Sequence, residues 1–465
     1  MTRTLCTTLV FLLVGPVNLP SMNVSAQTAT AVAARTQAPS AEPVRLSLVD
    51  AVSRGLEFNV SVIVQEQARN TVSSQRLEAL SALLPHVSAN VRQSSQILST
   101  AAFGFQGFAG LPTVIGPFSN FDARVVFSAP IFDESARASL AAARSNVKAA
   151  DAGYQTVRDT VALAVANLYL EALADAARVR TSEAQVVTAE SLVRLATDQN
   201  ASGLVAHIDV VRQQVQLEAA RAAVIRAQND LDKRTLQLAH AIGLAPGQAI
   251  AFTDAASFVP APPISIEAAV ADARLHRTDL QQARARVDAA KADRHAASSS
   301  ALPSVRVDGD VGAIGLSAAS ADRTYAIAAL VHVPIYEGGR TQARTAIADA
   351  QLKQREAELA DLDVVVQFDV RAALLDVRAA EAAVDVARSG EALAREELSQ
   401  AEDRFRAGVA TTVEVVRAQD AVARASEALI ASVYAHFTAK AELAHALGDV
   451  EHRYQQFMFP SKGPQ

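Results

Sequence analysis

Residues 333 to 340 read Val333-Pro334-Ile335-Tyr336-Glu337-Gly338-Gly339-Arg340, and Ala129-Pro130-Ile131-Phe132 stands 204 residues earlier. At each Pro-Ile pair a period of two gives way to a long stretch without proline. Upstream of the first, Phe121, Ala123, Val125, Phe127 and Ala129 alternate with Asp122, Arg124, Val126 and Ser128. Upstream of the second, Tyr325, Ile327, Ala329, Val331 and Val333 share one face, and Val305, Val307 and Val311 alternate with Arg306, Asp308 and Asp310 before them. Downstream of the first, residues 135–199 hold no Pro and one Gly, Gly153. Sixty-five such residues predict a helix near ~100 Å at 1.5 Å per residue.

The same pairing extends outward in both directions. Leu46-Ser47-Leu48 and Ile264-Ser265-Ile266 are 218 residues apart, as are Leu84-Pro85 and Leu302-Pro303, while Gly203 and Gly408 are 205 apart. The chain therefore reads as two copies of one unit, 46–244 and 264–448, separated by a linker at 245–263 that carries Pro246, Gly247, Pro260, Pro262 and Pro263. The change of offset sets about 14 extra residues in the first copy, in the Gly- and Phe-rich segment Phe103 to Gly110, which suits a loop. In the first copy the pattern predicts strands at about 86–98 and 120–130, a long helix at about 134–200 and a return helix at about 208–242. In the second it predicts strands at about 303–313 and 324–334 and helices at about 340–405 and 413–447. Val147, Tyr154, Val161 and Leu168 are spaced by seven, and Val179, Val186 and Val193 again by seven after a step of eleven, so the long helix is a coiled coil that unwinds locally.

Of the 465 residues 50% are apolar and 20% charged, and Trp is absent. A chain this rich in Ala and poor in aromatics is mostly helix. A net charge of −6 gives no basic footprint for nucleic acid. Residues 1–26 read as a secretory signal: Arg3, an apolar run from Leu5 to Val14, then Val24-Ser25-Ala26. Residues 27–45 then form an N-terminal extension and 449–465 a C-terminal tail. The only cysteine, Cys6, falls in the signal, so the mature chain has no disulfide or thiol nucleophile, and no Cys marks a lipid anchor. No stretch of about 18 uncharged apolar residues follows residue 26, so any contact with a membrane falls to the strands.

Each alternating run is about 10 residues, the length a tilted strand needs to cross a bilayer. A soluble sandwich gives the same alternation; the signal and the long helices tip the balance toward a membrane. Spanning strands must close into a barrel because lipid leaves no partner for a free edge. Four strands cannot close around a lumen, so the barrel is shared between chains, two at least, and three leave more room for a pore.

Four marks stand together over nearly all of the mature chain: Leu46-Ser47-Leu48-Val49-Asp50-Ala51-Val52, Arg277-Thr278-Asp279-Leu280, the two Leu-Pro entries to strands, and Pro334 to Arg340. In these the sequence resembles the TolC-like outer-membrane efflux family, the outer-membrane factors of tripartite efflux and type I secretion systems. The resemblance implies a mainly helical fold with a membrane β-barrel: a homotrimer whose 12-stranded barrel continues into a 12-helix periplasmic α-barrel. It implies contact with outer-membrane lipid, a periplasmic adaptor (membrane fusion protein) and an inner-membrane pump, and a passive exit duct for small molecules or proteins. The family's helical turns form a periplasmic tip, to which Gly203 through Asp209 and Gly408 through Glu414 correspond here. Each turn sets a carboxylate six residues after its glycine, where the family narrows the pore with acidic rings. Those carboxylates also complement a helix N-terminus. Arg212 and Arg417 stand where the family often has a second acid, so Glu414 is able to pair with Arg417 one turn away. Phe405 matches a tip aromatic that packs across neighbouring helices; a plain coiled-coil contact is the alternative.

No nucleophile, base and oxyanion site assembles, so the chain is expected not to be an enzyme. The nine His are scattered, with no HExxH, and no metal or cofactor is expected. Gly338-Gly339-Arg340 falls far short of a phosphate loop and reads as a strand-to-helix turn. The other classes considered are a periplasmic coiled-coil adaptor, which has one long hairpin where this chain has two, and a structural coiled coil, which leaves the strands unexplained. The cargo is not written in the sequence.

Overall fold

The computed structural model of the chain describes residues 42–104, 110, 112–254, 258–448 and 450. The signal segment with Cys6, most of the Phe103–Gly110 insert and nearly all of the tail lie outside the described residues. The fold is mainly helical. In the first copy, α1 (Leu48–Phe58) and α2 (Val60–Ser81) lead into strands β2 (His86–Ser99) and β3 (Val114–Phe132), then α3 (Glu134–Ala201) and α4 (His207–Ala241). The second copy runs α5 (Ile266–His276), α6 (Thr278–Ser299), β5 (Ser304–Gly315), β6 (Asp322–His332), α7 (Arg340–Arg406) and α8 (Thr412–Leu447). Two short strands, β1 (Val44–Leu46) and β4 (Ile250–Phe252), pair in parallel beside the helices.

Local chemistry sets the boundaries. Ser47 and Ser265, at equivalent positions of the two copies, cap α1 and α5 by accepting the backbone N–H of Asp50 (3.1 Å) and Ala268 (3.2 Å). Asp133 caps α3 through the N–H of Ala136 at 2.9 Å. The opening amphipathic run of each copy is not one helix but two, because Asn59 and the equivalent Arg277 adopt extended backbone and restart the chain. The amide of Asn59 ties this break to the carbonyl of Ala241 (3.0 Å), whereas Arg277, 8% exposed, grips Asp279 (2.7 Å) and Asp369 (2.9 Å).

The helices stand side by side as a wall. Nearer the sheet the order is α2, α3, α6, α7; farther away α4 replaces α2 and α8 replaces α6, so α3 and α7 run the whole length. At 68 and 67 residues these two are each about 100 Å long. The core lies where short and long helices meet. Leu48, Val165, Ala166, Tyr169, Leu170 and Phe437 form one cluster; Ala273, Leu280, Val366, Val370, Leu443 and Leu447 form its counterpart. Buried alanines such as Ala162, Ala166, Ala269 and Ala444 let the helices approach closely. Among the described residues one helix, α3, holds an 18-residue stretch apolar enough to cross a bilayer; 56% of that stretch is buried inside this chain, as in a core helix.

The β1–β4 ribbon anchors the linker. Asp254, just after β4, accepts the N–H of Leu48 at 2.7 Å and lies 2.9 Å from the hydroxyl of Tyr169, which also reaches the Leu46 carbonyl at 3.0 Å. Burial and the adjacent carboxylate push the Tyr169 phenol well above its ordinary range.

Candidate functional site

The four longer strands form one antiparallel sheet, β2-β3-β5-β6. Its two faces differ in kind. One exposes Val87, Val91, Val125, Val311, Tyr325, Ile327 and Val331; Tyr325 is 81% and Ile327 78% exposed. The other carries charge-assisted contacts: Arg124 reaches Asp122 (2.7 Å) and, across the strand pair, Asp310 (3.3 Å). Ser128 donates to Asp308 at 2.7 Å, and Arg306 meets the other oxygen of Asp308 at 2.9 Å. Gly312 faces Arg124 in the β3–β5 register. A Cβ on Gly312 would come 2.1 Å from the Ala123 carbonyl oxygen and 2.8 Å from Arg124 Cγ, so the glycine makes room for the arginine to lie across the sheet. β2 and β6 form the two margins of the sheet, each paired on one side only among the described strands.

At the far end the two hairpin turns lie together. Gly203 (φ 74°) and Gly408 (φ 71°) adopt left-handed backbone, which lets Leu204 N–H reach the Gln199 carbonyl (2.9 Å) and Val409 N–H the Arg404 carbonyl (3.0 Å). A Cβ at either glycine would meet nothing within 4 Å, so the demand there is backbone conformation, not space.

The charges at the tip pair within their own hairpins. Asp209 and Arg212 meet at 3.0 Å on one face of α4. Glu414 meets Arg404 across its own turn at 3.7 Å, rather than Arg417 one helical turn on. Arg406 pairs with Asp403 (2.8 Å) and Glu402 (3.2 Å). Contact between the hairpins is instead apolar and amide. Phe405, 1% exposed, packs in a cluster with Leu192 and Ala196 of α3, Val210 of α4, and Val415 and Ala418 of α8. Gln199 Nε2 donates to the Phe405 carbonyl at 3.1 Å. The interior beside this cluster is polar and under-bonded: among the described residues neither amide atom of fully buried Gln213 has a hydrogen-bond partner, nor do Gln199 Oε1, Thr412 Oγ1 or Gln419 Oε1. Behind it an open cleft of 430 Å³ separates the hairpins, lined by Gln185, Ala189, Gln216, Ala220, Gln419 and Ala423.

Gln199 and Gln213 are the tip residues that sequence reading passes over, since Gln on a coiled coil suggests an exposed face. A signal was there: Leu192, Ala196 and Gln199 follow spacings of four and three, and Val210, Gln213 and Leu217 of three and four. Among the described residues no group of three or more His, Cys, Asp or Glu is placed to hold a metal ion.

Residues 51–244 and 269–449 match the family described as Outer membrane efflux protein. Protein CyaE of Bordetella pertussis is 26% identical over 301 residues, which is 62% of this chain and 62% of the length of CyaE. Outer membrane protein TolC of Vibrio cholerae is 25% identical over 334 residues, 70% of this chain and 76% of that one. In structure, the fold is similar to that of the outer membrane protein VceC of Vibrio cholerae, with a TM-score of 0.75 at 19% identity over 86% of this chain and 96% of that one.

Proposed function

Because the chain belongs to the outer membrane efflux protein family, we propose that three copies of it close into an exit duct: a 12-stranded barrel in the outer membrane, continued by a 12-helix tube through the periplasm. It is a channel protein of that family and not an enzyme. The observation that carries the reading is that both margins of the structure are unfinished. The sheet has open edges at β2 and β6, and one of its faces is apolar and exposed. The helical wall likewise ends at α2 and α4 on one side and at α7 on the other. Both sides expose large apolar residues: Val64, Leu77, Val215 and Ile225 on the first, and Ile347, Phe368, Val386 and Leu393 on the second. Unlike margins that fit each other associate head to tail and close as a ring. Two copies would give eight strands, whose lumen side chains fill; three give twelve and leave a passage.

The polar face of the sheet then lines the lumen and the apolar face meets lipid. The helical turns form the periplasmic tip, where an adaptor and an inner-membrane pump dock, and the duct passes small molecules or proteins without an energy source of its own. At the tip, the carboxylates Asp209 and Glu414 are each matched by an arginine of their own hairpin. The closed state therefore rests on the Phe405 cluster and the Gln199 bond, which join one hairpin to the other.

Native mass spectrometry of detergent-extracted protein, with heat-modifiable bands from outer-membrane fractions, tests the assembly. Three chains per particle in that fraction support it; recovery only as a soluble periplasmic monomer refutes it.

A further inference from the structure

One charged cluster, with two buried members and a partly exposed third, is unrelated to the tip or the sheet. His436 (0% exposed) and Lys440 (1%) stand one helical turn apart on α8, facing Glu381 of α7. Among the described residues neither imidazole nitrogen has a hydrogen-bond partner, and Nε2 lies 3.6 Å from Glu381 Oε1. All three residues hold the strap formed by the end of the linker. Lys440 Nζ donates to the Val259 carbonyl at 3.1 Å, and the N–H of Ala261 donates to Glu381 at 2.7 Å. The Phe258 ring packs on His436, centroids 5.0 Å apart, with the Arg388 guanidinium 5.1 Å above it. At the equivalent positions of the first copy, 205 residues earlier, Ala176, Leu231 and Thr235 stand in place of Glu381, His436 and Lys440, and the acid–base pairing there is between Asp175 and Arg234 with no histidine. The cluster exists only where the strap crosses.

We propose that this cluster is an acid-released clasp: with His436 neutral it fastens the inter-repeat strap to the second hairpin, and a proton on His436 sets a second buried cation beside Lys440 and lets the strap go. The charges acting on the ring are Lys440 from its own helix and Glu381 from α7; Arg388 lies beyond Phe258. One carboxylate cannot balance two buried cations, and Glu381 already accepts the Ala261 N–H. Burial, and then the Lys440 charge, hold the imidazole below its ordinary range, with partial relief from Glu381. The folded ring therefore binds fewer protons than the unfolded ring, which titrates near ~6.5. The clasp is at full strength above that pH and weakens as pH falls below it.

The strap supplies its own reporter. Between Val259 and Ile264 the residues are Pro260, Ala261, Pro262 and Pro263, so Ala261 carries the only amide hydrogen. Hydrogen exchange of the full-length protein in detergent, read by mass spectrometry and corrected for intrinsic rates, follows that amide from pH 7.5 to 5.5. The expected result is a loss of protection of roughly tenfold across this range while amides of α3 keep theirs. His436→Gln, which stays neutral, is expected to flatten the profile. A flat profile in the unaltered protein overturns the proposal, as does a fall shared with α3, or an acid loss that persists in His436→Gln.

Discussion

Replacing Phe405 separates the two ways of holding the tip shut. Phe405 is 1% exposed, and cutting a buried Phe to Ala costs about 3–5 kcal/mol. Its cluster draws Leu192, Ala196 and Val210 from the first hairpin and Val415 and Ala418 from its own, so about half of that cost, ~2 kcal/mol, falls on the contact between hairpins. In a ring of three moving together the bias against opening drops by ~6 kcal/mol, roughly four decades in the closed-to-open ratio. Glu414→Ala is different in scale. Its partner Arg404 belongs to the same hairpin, and side-chain exposures of 60% and 44% limit the pair to ~0.5 kcal/mol, little of which depends on opening. Single-channel recording in planar bilayers, with entry of a large antibiotic into cells, compares the two variants once each is shown to assemble. Phe405→Ala should open readily and Glu414→Ala scarcely at all. If Glu414→Ala opens as often as Phe405→Ala, the apolar latch is the wrong account and an acidic ring holds the gate.

Other substitutions probe other parts of the fold. Tyr169→Phe removes a buried hydroxyl from Asp254 and the Leu46 carbonyl and should cost about 1.5–3 kcal/mol of stability, seen as an earlier denaturant midpoint with an unchanged slope; no shift means that the node carries no weight. Gln213→Leu replaces a fully buried amide with no hydrogen-bond partner by a side chain of similar size and should raise stability by about 1–2 kcal/mol; a loss would show that the amide is satisfied after all. Gly312→Ala forces a Cβ against the Ala123 carbonyl and Arg124, so folded, heat-modifiable protein should fall sharply in outer-membrane fractions; normal yield would rule out the close approach.

Most of the architecture was legible because periodicity is a local property. Alternation around Phe127 and Ile327 and the proline-free run after Pro130 needed no tertiary knowledge, and the offsets of 218 and 204 to 205 exposed the duplication. What stayed hidden depends on contacts between distant residues. The helix breaks at Asn59 and Arg277 are held by Ala241 and by Asp369, far away in the chain. The β1–β4 ribbon turns part of a Pro-rich linker into structure through a partner about 206 residues off. At the tip, glycine and acid at fixed spacing were readable, but the choice of Arg404 over Arg417 as the partner of Glu414 depends on how the turn folds back.

Duplication also shapes how such a duct opens. Three chains with two hairpins each would give a ring of six alike if the copies had stayed alike, and six equal hairpins have no reason for one set to move before the other. The copies have diverged at the contacts that matter. Gln199 and Asn200 of the first turn stand where the second has Arg404 and Phe405, so the aromatic comes from one copy and the amide that binds its carbonyl from the other. Gln213, buried in the first, matches Ala418 in the second. Among the described residues the end of the linker, at Val259 and Ala261, is held by the second hairpin, through Lys440 and Glu381. The second hairpin is thus fastened at two places, by Phe405 at the tip and by the strap near the far end of α8. If the duct opens by movement of the second hairpin, acid acting on the strap and truncation of Phe405 should favour opening together, whereas a change to the Asp209–Arg212 pair on the first hairpin should leave both fastenings as they are.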